Sequence, residues 1–338
     1  MFSPAFLDAL ARTPSADNSQ PWRFSEADGR FACAYRVRHG HVDPFGPTGH
    51  ASLIAGGAMH ESMAGVAGRD ADRSGIATAI DPTGWTVTLH APASEAAGIA
   101  GLLGRHTNRH PYLRATVDWS VPARPWPRGT RISLLAAADR IALVAQAVRL
   151  TSAVRFNTRE LHEWLFCSIR WSADEVARGD GLDVASLHLP PGGRQFMAFI
   201  APWKRMATLN QLGLYRVMAA IDARLVADAP AIVALTGGNA PDQIWEAGRA
   251  MMEAWVSLNG AGYAVHPYYV VTDISNRLGR GRVAPEWTND SLRALSLVHE
   301  AVGMQRDEQV HLLLRVGKPS RPPVRSRRLP IDQLLSHT

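Results

Sequence analysis

Three stretches carry residue types at spacings that could do chemistry. The first is the loop Pro14-Ser15-Ala16-Asp17-Asn18-Ser19-Gln20-Pro21-Trp22. Its two prolines bias the preceding residues toward extended backbone. Ser15, Asn18, Ser19 and Gln20 donate and accept hydrogen bonds without carrying charge, which suits a planar heterocycle with alternating donors and acceptors. The plainer use of such residues is an N-terminal turn capping its own backbone. The second stretch is Arg105-His106-Thr107-Asn108-Arg109, a compact group for binding an anion. Guanidinium forks match phosphate oxygens, and each charge-assisted bond is roughly twice as strong as a neutral one. A basic turn closing a helix, where Arg and His complement the helix dipole, is the alternative. The third is the basic, proline-rich tail of residues 317–334, with Arg327 and Arg328 just before Leu329-Pro330. Such a tail is commonly a solvated extension, and nucleic-acid contact is its sharper general use.

Other candidates fail on spacing. His39 and His41 lack a third ligand nearby. His106 and His110 stand beside Arg105 and Arg109, which repel a cation, so no metal site is expected. Thr236-Gly237-Gly238-Asn239 follows a strand but lacks a Walker lysine and the GxGxxG spacing. There is no GxSxG and no His-Asp arrangement that stands out. His106, His162, His266 and Tyr268 are candidates for proton transfer, each with a structural use as well.

The pattern Pro14-Ser15-x-x-Asn18-x-Gln20-Pro21-Trp22-x-Phe24 resembles the ring-side loop of the flavin-dependent nitroreductase family. Arg105, His106, Thr107 and Arg109 resemble that family's phosphate motif, and Arg327-Arg328 before Leu329-Pro330 is similar to its closing basic pair. The resemblance implies cofactor contacts from Pro14, Ser15, Asn18, Gln20 and Trp22, and from Arg105, His106, Thr107, Arg109, Arg327 and Arg328. Tyr268 and Tyr269 fall where the family's backbone donor faces flavin N5, although their side chains depart from its usual pair. In ordinary members the phosphate motif precedes the loop. Here it follows, with two hairpins and two helices between. That order fits a longer branch of the family, in which two diverged subunit-like halves are fused in one chain. The implied cofactor is FMN, or FAD if the cover region is open, at one flavin per chain.

These residues need elements to position them. A short helix from Pro4 to Arg12 precedes the loop. Trp22 to Ala27 and Arg30 to Val37 flank Asp28-Gly29, the strongest short hairpin signal. Ile76 to Ile80 and Trp85 to His90 flank a second turn. His50 to Gly68 has apolar residues at helical intervals, with Gly56-Gly57 and many alanines pointing to close helix packing. Pro92 to Leu103 reads as a helix capped at Ser94. Further helices are expected over Ala138–Val154, Thr158–Trp171, Pro241–Leu258 and Asn289–Val302. Arg131–Ala136, Ala231–Leu235 and Val310–Val316 read as strands. Gln195 to Val226 is apolar and aromatic and reads as core or a cover over a pocket.

With 338 residues, 46% hydrophobic and 20% charged, the chain fits a soluble globular protein. Apolar runs stop well short of the roughly 18 residues a membrane span needs. No leader follows Met1, and Cys33 and Cys167 stand alone, so a reducing cytoplasm and no stable membrane insertion are expected. The net charge of +6 comes almost wholly from arginine, since Lys204 and Lys318 are the only lysines. Those arginines are dispersed, so nucleic acid is not the expected partner.

The expected fold class is α+β, with mixed, largely antiparallel sheets wrapped by helices and an internal pseudo-dimer. Residues 1–100 would carry the ring-side loop, and residues 101–338 the phosphate clamp, with a cover near 180–226. The expected activity is a flavin-dependent oxidoreductase acting on a small organic substrate, monomeric or homodimeric. It would be driven by NAD(P)H, or would act as an oxygen-using oxidase. The alternative is a flavin-sequestering protein with a closed site.

Overall fold

The computed structural model describes residues 2–27, 29–37, 45–68, 75–90 and 98–336, with Arg128 described by its backbone alone. His39, His41, Asp28 and the cap expected at Ser94 lie outside the described residues. The first helix is α1 (Pro4–Ala11). A hairpin follows, β1 (Trp22–Ala27) with β2 (Arg30–Tyr35), Ala27 opposite Arg30. Then come α2 (His50–Val66), β3 (Ile76–Asp81), β4 (Gly84–His90) and α3 (Ile99–Gly104). The expected alternation is present: Trp22, Phe24, Phe31, Cys33, Trp85, Val87 and Leu89 are buried in one core.

The second half opens with β5 (Arg131–Leu135), α4 (Ala138–Phe156) and α5 (Arg159–Ser168). The helix expected to Trp171 stops at Ser168 and gives way to β6 (Ile169–Arg170), α6 (Ala173–Ala177) and β7 (Leu182–Asp183). The stretch read as a cover is three helices, α7 (Gly193–Ile200), α8 (Trp203–Gln211) and α9 (Leu214–Ala227). Pro202 and Gly213 stand at the two breaks, Gly213 at φ 88°. Next are β8 (Ala231–Gly237), α10 (Pro241–Gly260) and β9 (Ala264–Tyr268). Then α11 (Val270–Gly279), α12 (Thr288–Val302), β10 (Gln309–Gly317) and α13 (Ile331–Leu334) complete the chain.

The two larger sheets repeat one topology. The first has the order β1-β2-β4-β3 and the second β5-β8-β10-β9. Every neighbouring pair in both is antiparallel. In each, the helix between the second and third strands is the long central one, α2 or α10, and these two pack on each other. The crossing is close from both sides. A Cβ at Gly57 would fall 2.1 Å from the Trp245 carbonyl oxygen, and one at Gly248 would fall 2.3 Å from that of Ile54. Glycine lets the two backbones touch there. The fold is therefore α+β with two topologically equivalent halves sharing a core around α2 and α10.

The halves differ in their covering. The far face of the second sheet packs on α4, α11 and α12 in a second core, so every residue of β8 is buried. The outer strand of the first sheet, β3, is largely exposed. The tail returns to the first half, where Leu335 bridges Phe24 and Ser336 N donates to Phe24 O at 2.7 Å. No helix among the described residues is long and apolar enough to cross a membrane.

Candidate functional site

The loop after α1 is strained. Asp17 (φ 45°), Asn18 (φ 60°) and Gln20 (φ 50°) all hold left-handed backbone. Such a conformation costs roughly 1–3 kcal/mol per residue and persists only where its surroundings enforce it. Here the side-chain amides enforce it. Asn18 Nδ2 donates to Gly181 O at 2.8 Å and Arg327 O at 2.9 Å. Gln20 Nε2 donates to Gly179 O at 3.0 Å, and Leu329 N donates to Gln20 Oε1 at 3.0 Å. Gln20 N donates to Ser15 Oγ at 2.9 Å. These amides thus staple the loop to the turn before β7 and to the tail. Gly179 is what lets that turn close, since a Cβ there would sit 2.0 Å from Arg328 O. Asn18 Oδ1 stays buried without a partner. Pro14 is half-buried at the start of the loop, and Trp22 lies wholly in the core. Asp17 points the other way and accepts from Trp164 Nε1 at 2.8 Å.

Arg105 caps the C-terminus of α3 and is buried, 5% exposed, its guanidinium 4.6 Å from the Trp255 ring centre. Its Nη2 donates to Arg12 O at 2.8 Å, while its Nε and Nη1 have no partner. Arg328 Nη2 donates to the same carbonyl at 3.2 Å. Arg325 closes the group from the tail, donating to Leu103 O at 2.8 Å. Arg12 Nε is also buried and unpartnered, and Arg12 meets Asp8 at 3.7 Å on the surface side. Burial first, then the charges of Arg328, Arg325 and Arg12, push Arg105 well below the usual arginine range. Arg328 is pushed down to about 10 by burial and by Arg12. His106 stands at the edge of the group: its Nδ1 lies 2.8 Å from Gly104 O and 3.4 Å from Arg325 Nη2, and burial lowers its pKa. Thr107 is half-buried between the two arginines.

Arg109 does not join this group. It reaches Ser186, with Nη1 3.4 Å from Oγ, and burial lowers its pKa while Asp17 pulls it back. Around it stand Arg315, Tyr112, His266 and Tyr268. Arg315 is 1% exposed, and it pairs with His266 across β10 and β9. Arg315 Nε and His266 Nδ1 are buried without partners. Burial, then Arg315 and Arg109, hold His266 well below the usual histidine range. Burial and Asp222 raise the Tyr268 phenol. Tyr269 points elsewhere, to Phe45 and His50. Arg327 contributes its carbonyl to Asn18 and leaves its side chain exposed. His162 is taken up by the cover, with Nε2 2.9 Å from Ala201 O.

The structure therefore joins Arg105 with Arg328 and sets Arg109 and Arg327 apart. Arg12, Arg325, Asp17, Trp164, His50 and His311 were not foreseen. Among the described residues no group of three or more His, Cys, Asp or Glu could hold a metal ion.

No protein-family model matches the chain. The uncharacterized protein MT1398 of Mycobacterium tuberculosis (strain CDC 1551 / Oshkosh) is 25% identical over 283 residues, covering 78% of this chain. The match spans only 38% of that relative's length. Among solved structures, the chain is similar to the FMN and NADPH-dependent nitroreductase NfnB from Sphigopyxis sp. strain HMH. That match has TM-score 0.37 and 16% identity, and covers 71% of this chain and 97% of the other. A BluB-like flavoprotein from Clostridium difficile 630 matches with TM-score 0.37 and 10% identity, over 71% of this chain and 97% of its own. Iodotyrosine deiodinase bound to FMN and 3-iodo-L-tyrosine matches with TM-score 0.35 and 12% identity, over 68% and 94%. The chain resembles nitroreductase-type flavoproteins.

Proposed function

We propose that the chain is a flavin-dependent oxidoreductase of the nitroreductase type, built from two fused, diverged halves. Residues 1–100 carry the ring-side loop, and residues 101–338 the phosphate clamp and its cover. The observation that carries this reading is the Arg105 group. Buried guanidinium N–H groups without acceptors are costly to keep. A phosphate dianion supplies the missing acceptors and offsets the mutual repulsion of Arg12, Arg105, Arg325 and Arg328. FMN ends in such a phosphate.

The chain from Arg105 to Arg109 reaches at most about 14 Å when extended. A ligand with its phosphate at Arg105 can therefore present a flat, polar ring to Arg109 and the Asp17 loop. Arg109, with Arg315 behind it, would favour the electron-rich, reduced form of that ring through its charge. When bound, flavin supplies hydride transfer at N5. The protein's part is to grip the phosphate, orient the ring and keep water out with α7 and α8. The electron donor is NAD(P)H, or a small organic substrate with oxygen reoxidising the cofactor.

A second reading, flavin sequestration, is favoured by the Asn18 and Gln20 staples. They tie the turn leading to the cover directly onto the ring-side loop. An anaerobic absorption spectrum separates the readings. Flavin bands bleached by NADPH mean a reductase. Bands bleached by dithionite alone mean an oxidase with its own organic donor. Bands that resist dithionite mean sequestration. No bands after FMN and FAD are offered would remove the flavin reading altogether.

A further inference from the structure

Asn18 and Gln20 each carry an amide, and in the fold both amides turn to backbone. Asn18 Nδ2 has two hydrogens. One goes to Gly181 O at 2.8 Å and the other to Arg327 O at 2.9 Å. Gln20 Nε2 spends its two on Gly179 O at 3.0 Å and Asn18 O at 3.2 Å. Gln20 Oε1 accepts from Leu329 N at 3.0 Å. Every amide N–H is thereby used, and the two residues are 5% and 0% exposed. Neither amide has a donor left for a bound heterocycle. What they hold instead is one residue of the tail.

That residue is Arg328. Asn18 takes the carbonyl of Arg327 just before it, and Gln20 takes the N–H of Leu329 just after it. A residue gripped on both flanks has its backbone dihedrals set, and with them the directions its side chain can take. Arg328 is half-buried, and its Nη2 donates to Arg12 O at 3.2 Å. Arg105 Nη2 reaches the same carbonyl at 2.8 Å. The two amides therefore act on the phosphate group at a distance, through the backbone on either side of one of its arginines.

The same amides also hold the turn before β7. Gly179 and Gly181 take left-handed backbone there, φ 78° and 72°, on either side of Asp180. Gly181 N returns a bond to Asn18 O at 3.3 Å. A Cβ at Gly179 would fall 2.0 Å from Arg328 O, so the turn lies directly against the residue that the amides grip. Asp180 is fixed from its own side, where its Oδ1 accepts from Arg170 Nε at 2.9 Å. Beyond Gly181 the chain runs into β7 and on to α7 of the cover. Loop, tail and turn thus meet at Arg328, and a shift in one is felt by the other two.

We propose that Asn18 and Gln20 are positioning residues of the phosphate clamp, aiming Arg328 at the anion and tying the Gly179–Gly181 turn, the root of the cover, to occupancy of that site. This rests on the phosphate reading of the Arg105 group. An anion that orders Arg328 orders the turn as well. By linkage, a turn pushed out of place weakens the anion by the same factor. A ring ligand behaves otherwise: it touches the heterocycle, and its loss leaves the affinity for phosphate alone unchanged.

The test uses the flavin-free full chain with inorganic phosphate as the probe, so that the anion is read without the ring. Asn18→Gly removes the amide and still accepts left-handed backbone. Gly179→Ala displaces the turn against Arg328 without touching an amide, and carries the test if the first variant does not fold. In variants that circular dichroism shows to be folded, each should raise the phosphate Kd on the order of tenfold. Adding Asn18→Gly to Arg328→Met should cost almost nothing further, because Asn18 acts through Arg328. A merely structural amide would not give that non-additivity. Phosphate should also slow hydrogen exchange of the Gly179–Gly181 amides in wild type, and not in Asn18→Gly. Folded variants that bind phosphate as wild type does, effects that add to Arg328→Met in full, or exchange indifferent to phosphate would overturn the positioning role alone. A wild type that binds no phosphate would overturn the phosphate reading and, with it, the role of these amides.

Discussion

Arg249, near the middle of α10, and Arg105, stacked on Trp255 six residues further along that helix, are both buried guanidiniums in touch with a tryptophan. Their surroundings differ. Arg249 Nη1 meets both Glu246 oxygens at 2.9 Å, and its Nε meets Glu61 at 3.4 Å across the junction of the halves. Arg124 adds contacts to Glu61 and Glu253 at 3.4 and 3.0 Å, and lies 4.2 Å from the Trp126 ring centre. Arg105 instead gathers Arg12, Arg325 and Arg328, and among the described residues its acceptor is the Arg12 backbone carbonyl. The first group is complete within the protein and locks α2 against α10. The second leaves Arg105 Nε and Nη1 without acceptors among the described residues, which is the gap the proposed phosphate would fill. Burial alone does not mark a functional arginine; burial without a carboxylate does.

The sharpest way to break this contrast is stability. Arg249→Met should lower folding stability by about 3–5 kcal/mol, because it removes both bonds to the buried Glu246 carboxylate and leaves Glu61 to its other contacts, Arg124 among them. Urea titration reads the loss, and a change under 1 kcal/mol would put Arg249 in the same class as a surface ion pair. Arg105→Met should have the opposite sign, leaving the flavin-free midpoint level or higher, since it removes a charge that lacks a partner.

The pair His50 and His311, with Nε2 and Nδ1 3.0 Å apart, lies in neither group and serves as a control. An unfolded histidine binds protons below about pH 6.5, whereas His311 in the fold waits until about pH 4. The folded pKa is depressed, so this contribution is full above 6.5 and is lost as the pH falls toward 4, on the order of 3 kcal/mol in all. His311→Gln should flatten that limb, and Arg105→Met should leave it unchanged.

Ligand affinity sharpens the comparison next. One charge-assisted contact is worth about 1.5–3 kcal/mol, so Arg105→Met or Arg328→Met should weaken FMN roughly 10- to 150-fold by calorimetry. Arg124→Met, on the paired side, should bind FMN as wild type does. The smallest effect concerns inorganic phosphate. A concentration ten times its Kd should raise stability by about 1.4 kcal/mol through linkage. Thermal melts should show this gain in wild type and lack it in Arg105→Met.

Much of the scaffold was legible in the sequence. The Asp28-Gly29 turn signal and the second turn between Ile80 and Trp85 pointed to both first-half hairpins, and α10 covers the helix expected over Pro241–Leu258. Gly56-Gly57 pointed to a close helix crossing, although its reciprocal partner Gly248 is visible only once the helices are paired. Helix α11 went unread because Val270, Val271 and Thr272 are β-branched and mimic a strand. Helix α10 runs two residues past the expected Leu258, to Gly260, and Gly262 beyond it takes the left-handed conformation, φ 80°.

The site was legible only in parts. Arg105 and Arg328 could be matched to a resemblance, but Arg12 and Arg325 join them through tertiary packing that no spacing encodes. Arg109, four residues from Arg105 beyond the end of α3, is carried to a different cluster. His50 and His311 meet across 261 positions, and each alone is a single histidine on an apolar face. Asn18 and Gln20 were read as ligands of a ring, and in the fold they first bind backbone. That is the expense of holding three left-handed residues in one short loop.

The most direct measurement is FMN titration of flavin-free wild type, Arg105→Met and Arg249→Met by calorimetry, each below its melting point. The account predicts stoichiometric binding of one FMN to wild type and Arg249→Met, with riboflavin, which lacks the phosphate, binding far more weakly. It predicts a loss for Arg105→Met alone. Folded wild type that ignores FMN, or binds FMN and riboflavin equally, would contradict the claim that the unpaired arginines await a phosphate.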